Sequence, residues 1–283
     1  MQSMDEWQPV HLPSAKAFEI HSPHTGERYR ILVRPPVGPM PPRGYPTLWM
    51  LDGDASFPLA FSRPTHALFP TVSNSGFTGL TVAIGFPEGA PFDVPARSRN
   101  YTPQPDRETG DLLSNGFGGA DDFLYFLAEE LRPVIAGHYP LDPTRHTLFG
   151  FSYGGLFAVH TVLNCPGYFQ RYWAASPSLW FSENMMMRRM RTGAATGAAG
   201  SLTLTVGKDE QYATHILPTG RQEHLSRRAM VDNVTEAAAV IAQANTDLKV
   251  DLIVAADHDH FDMLLHGVRR VQTVAFGESH MAP

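Results

Sequence analysis

Residues 149–155 read Phe-Gly-Phe-Ser-Tyr-Gly-Gly. The preceding Arg-His-Thr-Leu-Phe (145–149) is strand-like. The following Leu156-Phe157-Ala158-Val159 with Thr161-Val162-Leu163 continues as a buried helix. A Gly-x-Ser-x-Gly segment between a strand and a helix sets its serine on a sharp turn, because glycines at 150 and 154 let the two backbones approach closely. The hydroxyl of Ser152 is then held up at the end of the strand, where attack on a carbonyl requires it.

Outward from that turn, short apolar strands alternate with helices. Strands are predicted at 29–34, ended by Pro35-Pro36, at 47–51, closed by Asp52-Gly53-Asp54, and at 80–86. Further strands follow the turn at 172–175, 202–206 and 250–255, with a break at Ser176-Pro177-Ser178 after the first. A helix over 120–136 carries Phe123, Leu124, Leu127, Leu131 and Val134 on one face. Asp121 and Asp122 sit in its first turn, where the helix dipole favours them. Two more helices are expected at about 224–244 and 266–275. The Pro- and Gly-rich stretch 87–118 has little periodicity and reads as a long loop bearing substrate contacts. Residues 185–200 read as a short helix and loop near the site mouth. Apolar strands separated by helices imply a mostly parallel sheet covered on both faces, and with the serine turn this predicts an α/β-hydrolase fold. No internal repeat is present. The reading is one domain over 1–283, with lid-like segments near 87–118 and 181–200.

A chain of 283 residues with 43% hydrophobic content can bury one sizeable core. A net charge of −6 gives no electrostatic case for nucleic acid or an anionic membrane. The single cysteine, Cys165, excludes an intramolecular disulfide framework and reads as a structural thiol. The first residues carry no basic and apolar leader pattern, and no apolar run is long enough to span a bilayer, which predicts a cytoplasmic protein.

A serine hydroxyl needs a base to take its proton and an acid to orient that base. In this fold the chain order is Ser, Asp or Glu, then His, each after a strand. Gly207-Lys208-Asp209-Glu210-Gln211 follows the strand at 202–206, and Asp257-His258-Asp259-His260 follows the one at 250–255. Glu210 or Asp209 is therefore the candidate acid, with a Ser–His dyad as the alternative, and His260 or His258 the candidate base. The two histidines also resemble a metal pair. No further Cys or spaced His/carboxylate set accompanies them, so no metal and no cofactor are expected. The oxyanion hole is expected from backbone N–H groups of Tyr153 and of Asp54, with Gly53 beside it.

Leu51-Asp52-Gly53, Gly150-Phe-Ser-Tyr-Gly-Gly155, Ala175-Ser-Pro-Ser-Leu-Trp180 and Val206-Gly-Lys-Asp-Glu-Gln211 together resemble the esterase family related to esterase D. Within it, the chain is most similar to the enterobactin and salmochelin trilactone esterases, over nearly its whole length. The resemblance implies Ser152 as nucleophile, Glu210 as acid, His260 as base and Asp54 near the oxyanion hole. Arg97-Ser-Arg99-Asn-Tyr-Thr-Pro103 resembles the family's Arg-x-x-Asp-Tyr-Thr-Pro stretch, with Asn100 in place of the usual Asp. It implies that Arg97 and Arg99 face an anionic substrate. Trp180 and Phe181 are expected near the acyl pocket. Arg188, Arg189 and Arg191 are either a solvated face or a receiver for a ferric catecholate.

The expected activity is that of a serine carboxylester hydrolase acting through an acyl-enzyme on a siderophore trilactone or its iron complex. A general short-acyl esterase or thioesterase, an acyltransferase and a non-catalytic binding protein are the alternatives.

Overall fold

The computed structural model describes residues 11–37, 39–61, 79–193, 197–213, 218 and 220–277. The N-terminal residues 1–10 and residues 194–196 of the expected lid-like segment lie outside them. Eight strands form one sheet: β1 (Lys16–His21), β2 (Arg28–Arg34), β3 (Tyr45–Met50), β4 (Leu80–Gly85), β5 (Leu141–Phe151), β6 (Arg171–Ala175), β7 (Gly200–Gly207) and β8 (Leu248–Ala255). Their spatial order is β1-β2-β4-β3-β5-β6-β7-β8. β2 pairs antiparallel with both β1 and β4, and every pairing from β4 to β8 is parallel. The order reverses at β3, beside β5, so the turns after these two strands open onto one edge of the sheet.

Helices α1 (Gly53–Ala60), α2 (Val94–Tyr101), α3 (Ala120–Tyr125), α4 (Arg132–Ala136), α5 (Tyr153–Asn164), α6 (Phe181–Arg191), α7 (Arg221–Arg228), α8 (Met230–Ala244) and α9 (His260–Phe276) cover the sheet. A π-helical segment, Phe126–Leu131, joins α3 to α4, so the predicted helix over 120–136 is continuous. Alternation along the strands builds two cores. Trp49, Leu51, Leu148, Tyr172 and Ala174 pack with Phe123, Phe126 and Phe157 on one face. Met50, Phe149, Phe151 and Trp173 pack with Phe57 of α1 and Val268 and Val271 of α9 on the other. Each of these large side chains contributes roughly 1.5–3 kcal/mol on burial.

Several expectations are corrected. The segment 87–118 is not loop throughout, since it holds α2. Asp93 caps α2 by accepting from the Ala96 N–H at 2.9 Å, and Pro95 sits in its first turn. Beside Ala96 and Tyr101 the helix buries the polar Arg97, Ser98 and Asn100, so no apolar periodicity announces it. The helix expected over 224–244 is broken at Ala229, whose φ of 45° is left-handed. The last helix begins at His260 rather than near 266, because Asp259 caps it. The methionines of 185–187, in the segment read as a short helix and loop near the site mouth, are core residues.

Arg97 links this frame to the serine turn. Its Nε donates to Asp52 Oδ1 at 2.6 Å and its Nη2 to Asp52 Oδ2 and to the Phe151 carbonyl, both at 3.2 Å. Both side chains are buried. Burial works against the Arg97 charge, but the facing Asp52 carboxylate outweighs it and raises the guanidinium's pKa. Arg97→Met strands a buried carboxylate and is expected to cost about 3–5 kcal/mol. Urea unfolding of the single variant and of Asp52→Asn/Arg97→Met measures this. A single-variant loss below about 1 kcal/mol, the level of an exposed pair, refutes the buttressing role.

Candidate active site

Ser152 lies between the last residue of β5 and the first of α5, with φ 59° and ψ −113°. A non-glycine residue in this region costs roughly 1–3 kcal/mol, so neighbouring structure must hold it. The Ser152 N–H donates to the Ala175 carbonyl at 2.9 Å, and its own carbonyl accepts from Ser178 and Leu156 at 3.1 and 2.9 Å. A Cβ on Gly150 would run into the Gly154 carbonyl, which is why glycine is needed there. The Ser152 Oγ lies 3.3 Å from the Ser178 Oγ.

The candidate acid and base meet. His260 Nδ1 is 2.5 Å from Glu210 Oε2. The other carboxylate oxygen, Oε1, accepts from Ser176 Oγ at 2.5 Å and from the Gly207 N–H at 2.8 Å. Glu210 is buried and sits in a single 3-10 turn, Lys208–Glu210, directly after β7. Asp209 lies on the same turn, and its N–H holds the His258 carbonyl at 3.1 Å. This contact requires the close approach that Gly207 permits, since a Cβ there would strike the His258 carbonyl. Asp259 then starts α9 with a reciprocal cap: it accepts from Phe261 and Asp262, and Asp262 accepts from the Asp259 N–H. His260 is thereby fixed at the first helical position. His258 instead sets its Nδ1 2.6 Å from the Ala256 carbonyl, with its ring beside His266.

With Glu210 accepting at Nδ1, the neutral imidazole carries its proton there and presents a free lone pair at Nε2. Among the described residues Nε2 makes no hydrogen bond, and Ser152 and His260 are not bonded to one another. The imidazole packs on Phe151, the residue before Ser152, at 4.6 Å between ring centroids. Base and hydroxyl thus share one sheet edge, and catalytic hydrogen bonds are often long before substrate arrives.

The other expected residues divide. Tyr153 opens α5, so its N–H has no carbonyl acceptor within its own helix. Its hydroxyl donates to Asp111 Oδ2 at 2.7 Å, and burial pushes that hydroxyl's pKa up. Asp54 occupies the first turn of α1, and its buried carboxylate pairs with Arg30 at 2.7 Å. Gly53 packs against the backbone of Ile84 and Gly85. Arg97, expected to face substrate, is the buried buttress under the turn. Arg99 is half-exposed and bonds Glu27. Asn100 takes part in structure, bonding Tyr29, Glu27 and the Ala96 carbonyl. Trp180 packs 6.0 Å from the Tyr153 ring, and Phe181 meets the same ring edge-on at 5.8 Å. Arg188 pairs with Asp106, and Arg191 with Glu236. Ser176, Ser178 and Asp111 had no role assigned from sequence. The Ser-Pro-Ser break was visible, but which buried carboxylate it serves was not.

A cavity of about 230 Å³ adjoins this pair, lined by Glu210, His260, Phe261, Arg221, His224 and Arg228 among others. Among the described residues no group of three or more His, Cys, Asp or Glu is arranged to hold a metal ion. None of the described helices is long and apolar enough to cross a membrane.

The model of the Esterase family, described as "Putative esterase", matches residues 22–254. The chain is 31% identical to the ferri-bacillibactin esterase of Bacillus subtilis, covering 80% of this chain and 76% of that one. It is 32% identical to a siderophore enterobactin esterase of Emericella nidulans, covering 76% and 82% respectively. Among solved structures it is similar to the siderophore hydrolase EstB from Aspergillus nidulans, with a TM-score of 0.81 at 28% identity over 97% of this chain and 99% of that one.

Ser176 is the most accessible test of the pair's geometry. Ser176→Ala removes one of two donors from Glu210 Oε1 and is expected to lower kcat on p-nitrophenyl butyrate about 10-fold with KM unchanged, since about 1.4 kcal/mol is tenfold. Steady-state kinetics measures it, and an unchanged kcat refutes the role.

Proposed function

This chain belongs to the esterase family and is a carboxylic ester hydrolase, and from that premise we propose that Ser152, His260 and Glu210 carry out its chemistry on a siderophore trilactone ester, free or iron-bound. The observation that carries the assignment is the 2.5 Å bond between His260 Nδ1 and a buried Glu210, which leaves Nε2 free in a ring that packs on Phe151, the residue before Ser152. The relatives' names, ferri-bacillibactin esterase and siderophore enterobactin esterase, support the substrate class.

In this mechanism Ser152 Oγ exchanges its contact with Ser178 for His260 Nε2, which takes the hydroxyl proton as Oγ attacks the lactone carbonyl. The N–H groups of Tyr153 and of Asp54, or Gly53 beside it, receive the oxyanion. Glu210 stabilises the imidazolium without taking its proton. Collapse breaks the acyl–oxygen bond, and His260 protonates the departing alkoxide. In a lactone that alcohol stays tethered to the acyl group, so the acyl-enzyme carries the opened chain. Water, deprotonated by His260, then attacks the acyl carbonyl; the acyl–Oγ bond breaks, the imidazolium returns its proton to Ser152 Oγ, and a linear hydroxy acid leaves.

Purified protein is expected to open both iron-free and ferric trilactones, read as the linear product by mass spectrometry. An active-site phosphonate should label Ser152, and Ser152→Ala should lose at least about 10³-fold in kcat. Cleavage of simple esters with neither trilactone opened would sink the substrate assignment while leaving the esterase chemistry standing.

A further inference from the structure

The cavity beside His260 has an uneven charge inventory. Its acids are engaged: Glu210 by His260, Ser176 and Gly207, and Asp259 by the start of α9. Asp209 also has an interaction of its own. Its cations are not matched in the same way. Arg228 makes no side-chain hydrogen bond or ion pair among the described residues. Its guanidinium instead lies over the Trp180 ring, 4.1 Å from the centroid.

That stack joins the catalytic candidates through a chain of rings. Trp180 packs on Tyr153, the residue after Ser152, and the Tyr153 hydroxyl takes up the nearby Asp111 carboxylate. The backbone holds Arg228 in place at some cost. Ala229 turns the chain in a left-handed conformation with φ 45°, where an alanine is strained. Asn233, itself bonded to Asn184, donates to the Arg228 carbonyl at 3.0 Å. The local potential is positive: burial, Arg228, Arg221 and Arg227 together hold His224 below its usual pKa.

An unpaired, half-buried guanidinium is costly unless an anion completes it. Held over an indole ring, its planar fork of N–H donors suits two oxygens of one ligand. A cavity of about 230 Å³ is small for a whole drug-sized ligand and admits one aromatic arm.

We propose that Arg228, braced on Trp180, is a specificity residue that receives an anionic catecholate arm of the substrate. The iron(III) tris-catecholate form carries three negative charges, so Arg228 favours the iron-bound ester over neutral esters. This deepens the siderophore reading and rests on it.

The test uses an ester-free tris-catecholamide iron(III) complex as a competitive inhibitor of p-nitrophenyl butyrate hydrolysis by the full chain. Arg228→Gln is expected to raise the ratio of its Ki to the butyrate KM about 10-fold, as loss of one charge-assisted contact predicts. Arg228→Lys, which keeps the charge without the planar fork, should fall between. Arg227→Gln, one residue away and exposed, is the control. If Arg228→Gln moves the ratio no further than Arg227→Gln, the proposal is overturned. Wild-type turnover of the ferric trilactone is scored separately, so loss of the substrate reading and loss of the Arg228 role give different results.

Discussion

A buried carboxylate must be given donors, and the need to satisfy Glu210 organises one side of this site. Left unpaired, such a charge costs several kcal/mol. Here the donors come from the ends of three neighbouring strands. Ser176 follows β6, Gly207 ends β7 and His260 follows β8. Satisfying one charge therefore brings three strand ends into register, and the imidazole is oriented as a consequence. Ser176 itself takes a φ of 43° to reach the carboxylate, a conformation that serine adopts only under constraint. Stability and chemistry share the same hydrogen bonds.

The opposite side repeats the arrangement with a different partner. Asp52, also buried and left-handed at φ 52°, is satisfied by Arg97. The same guanidinium reaches the Phe151 carbonyl, so this ion pair supports the strand end from below. The Ser152 turn thus stands between two buried acids, one completed by arginine and one by histidine. The difference matters. Arginine cannot give up its proton and can only brace, whereas an imidazole can accept a proton and return it. With both acids consumed, the charge left to act on a ligand in the cavity is positive.

Most of this arrangement was readable in the sequence where local pattern and tertiary role coincide. The serine turn was legible because only glycine tolerates the strand–helix approach at residue 150. The Glu210–His260 pair was legible to within one or two residues, since each partner follows an apolar strand in a fixed order. Strand order alone left Glu210 beside Asp209 and His260 beside His258; the family resemblance picked Glu210 and His260, and the caps show how those two come to meet. Asp259 starts α9 six residues earlier than the apolar periodicity indicates, and this places His260 rather than His258 against the acid. Helix α2 was invisible because polar Arg97, Ser98 and Asn100 are buried alongside Ala96 and Tyr101, which breaks the apolar periodicity a buried helix usually shows.

The arginines show most clearly where a linear reading stops. Arg97 sits in a motif that invites a ligand-binding role, yet it is buried and fully engaged, so it has no charge to offer a substrate. Arg188 and Arg191, read as either a solvated face or a receiver for a ferric catecholate, hold Asp106 and Glu236. Arg228 lies in no motif, at the end of a short helix broken by a strained alanine, and among the described residues its half-buried guanidinium makes no ion pair but lies over Trp180 beside the cavity. What separates these residues is where the nearest carboxylate ends up after folding. That distance is set by caps, bends and strand register, none of which is written in the arginine's own neighbourhood of the chain.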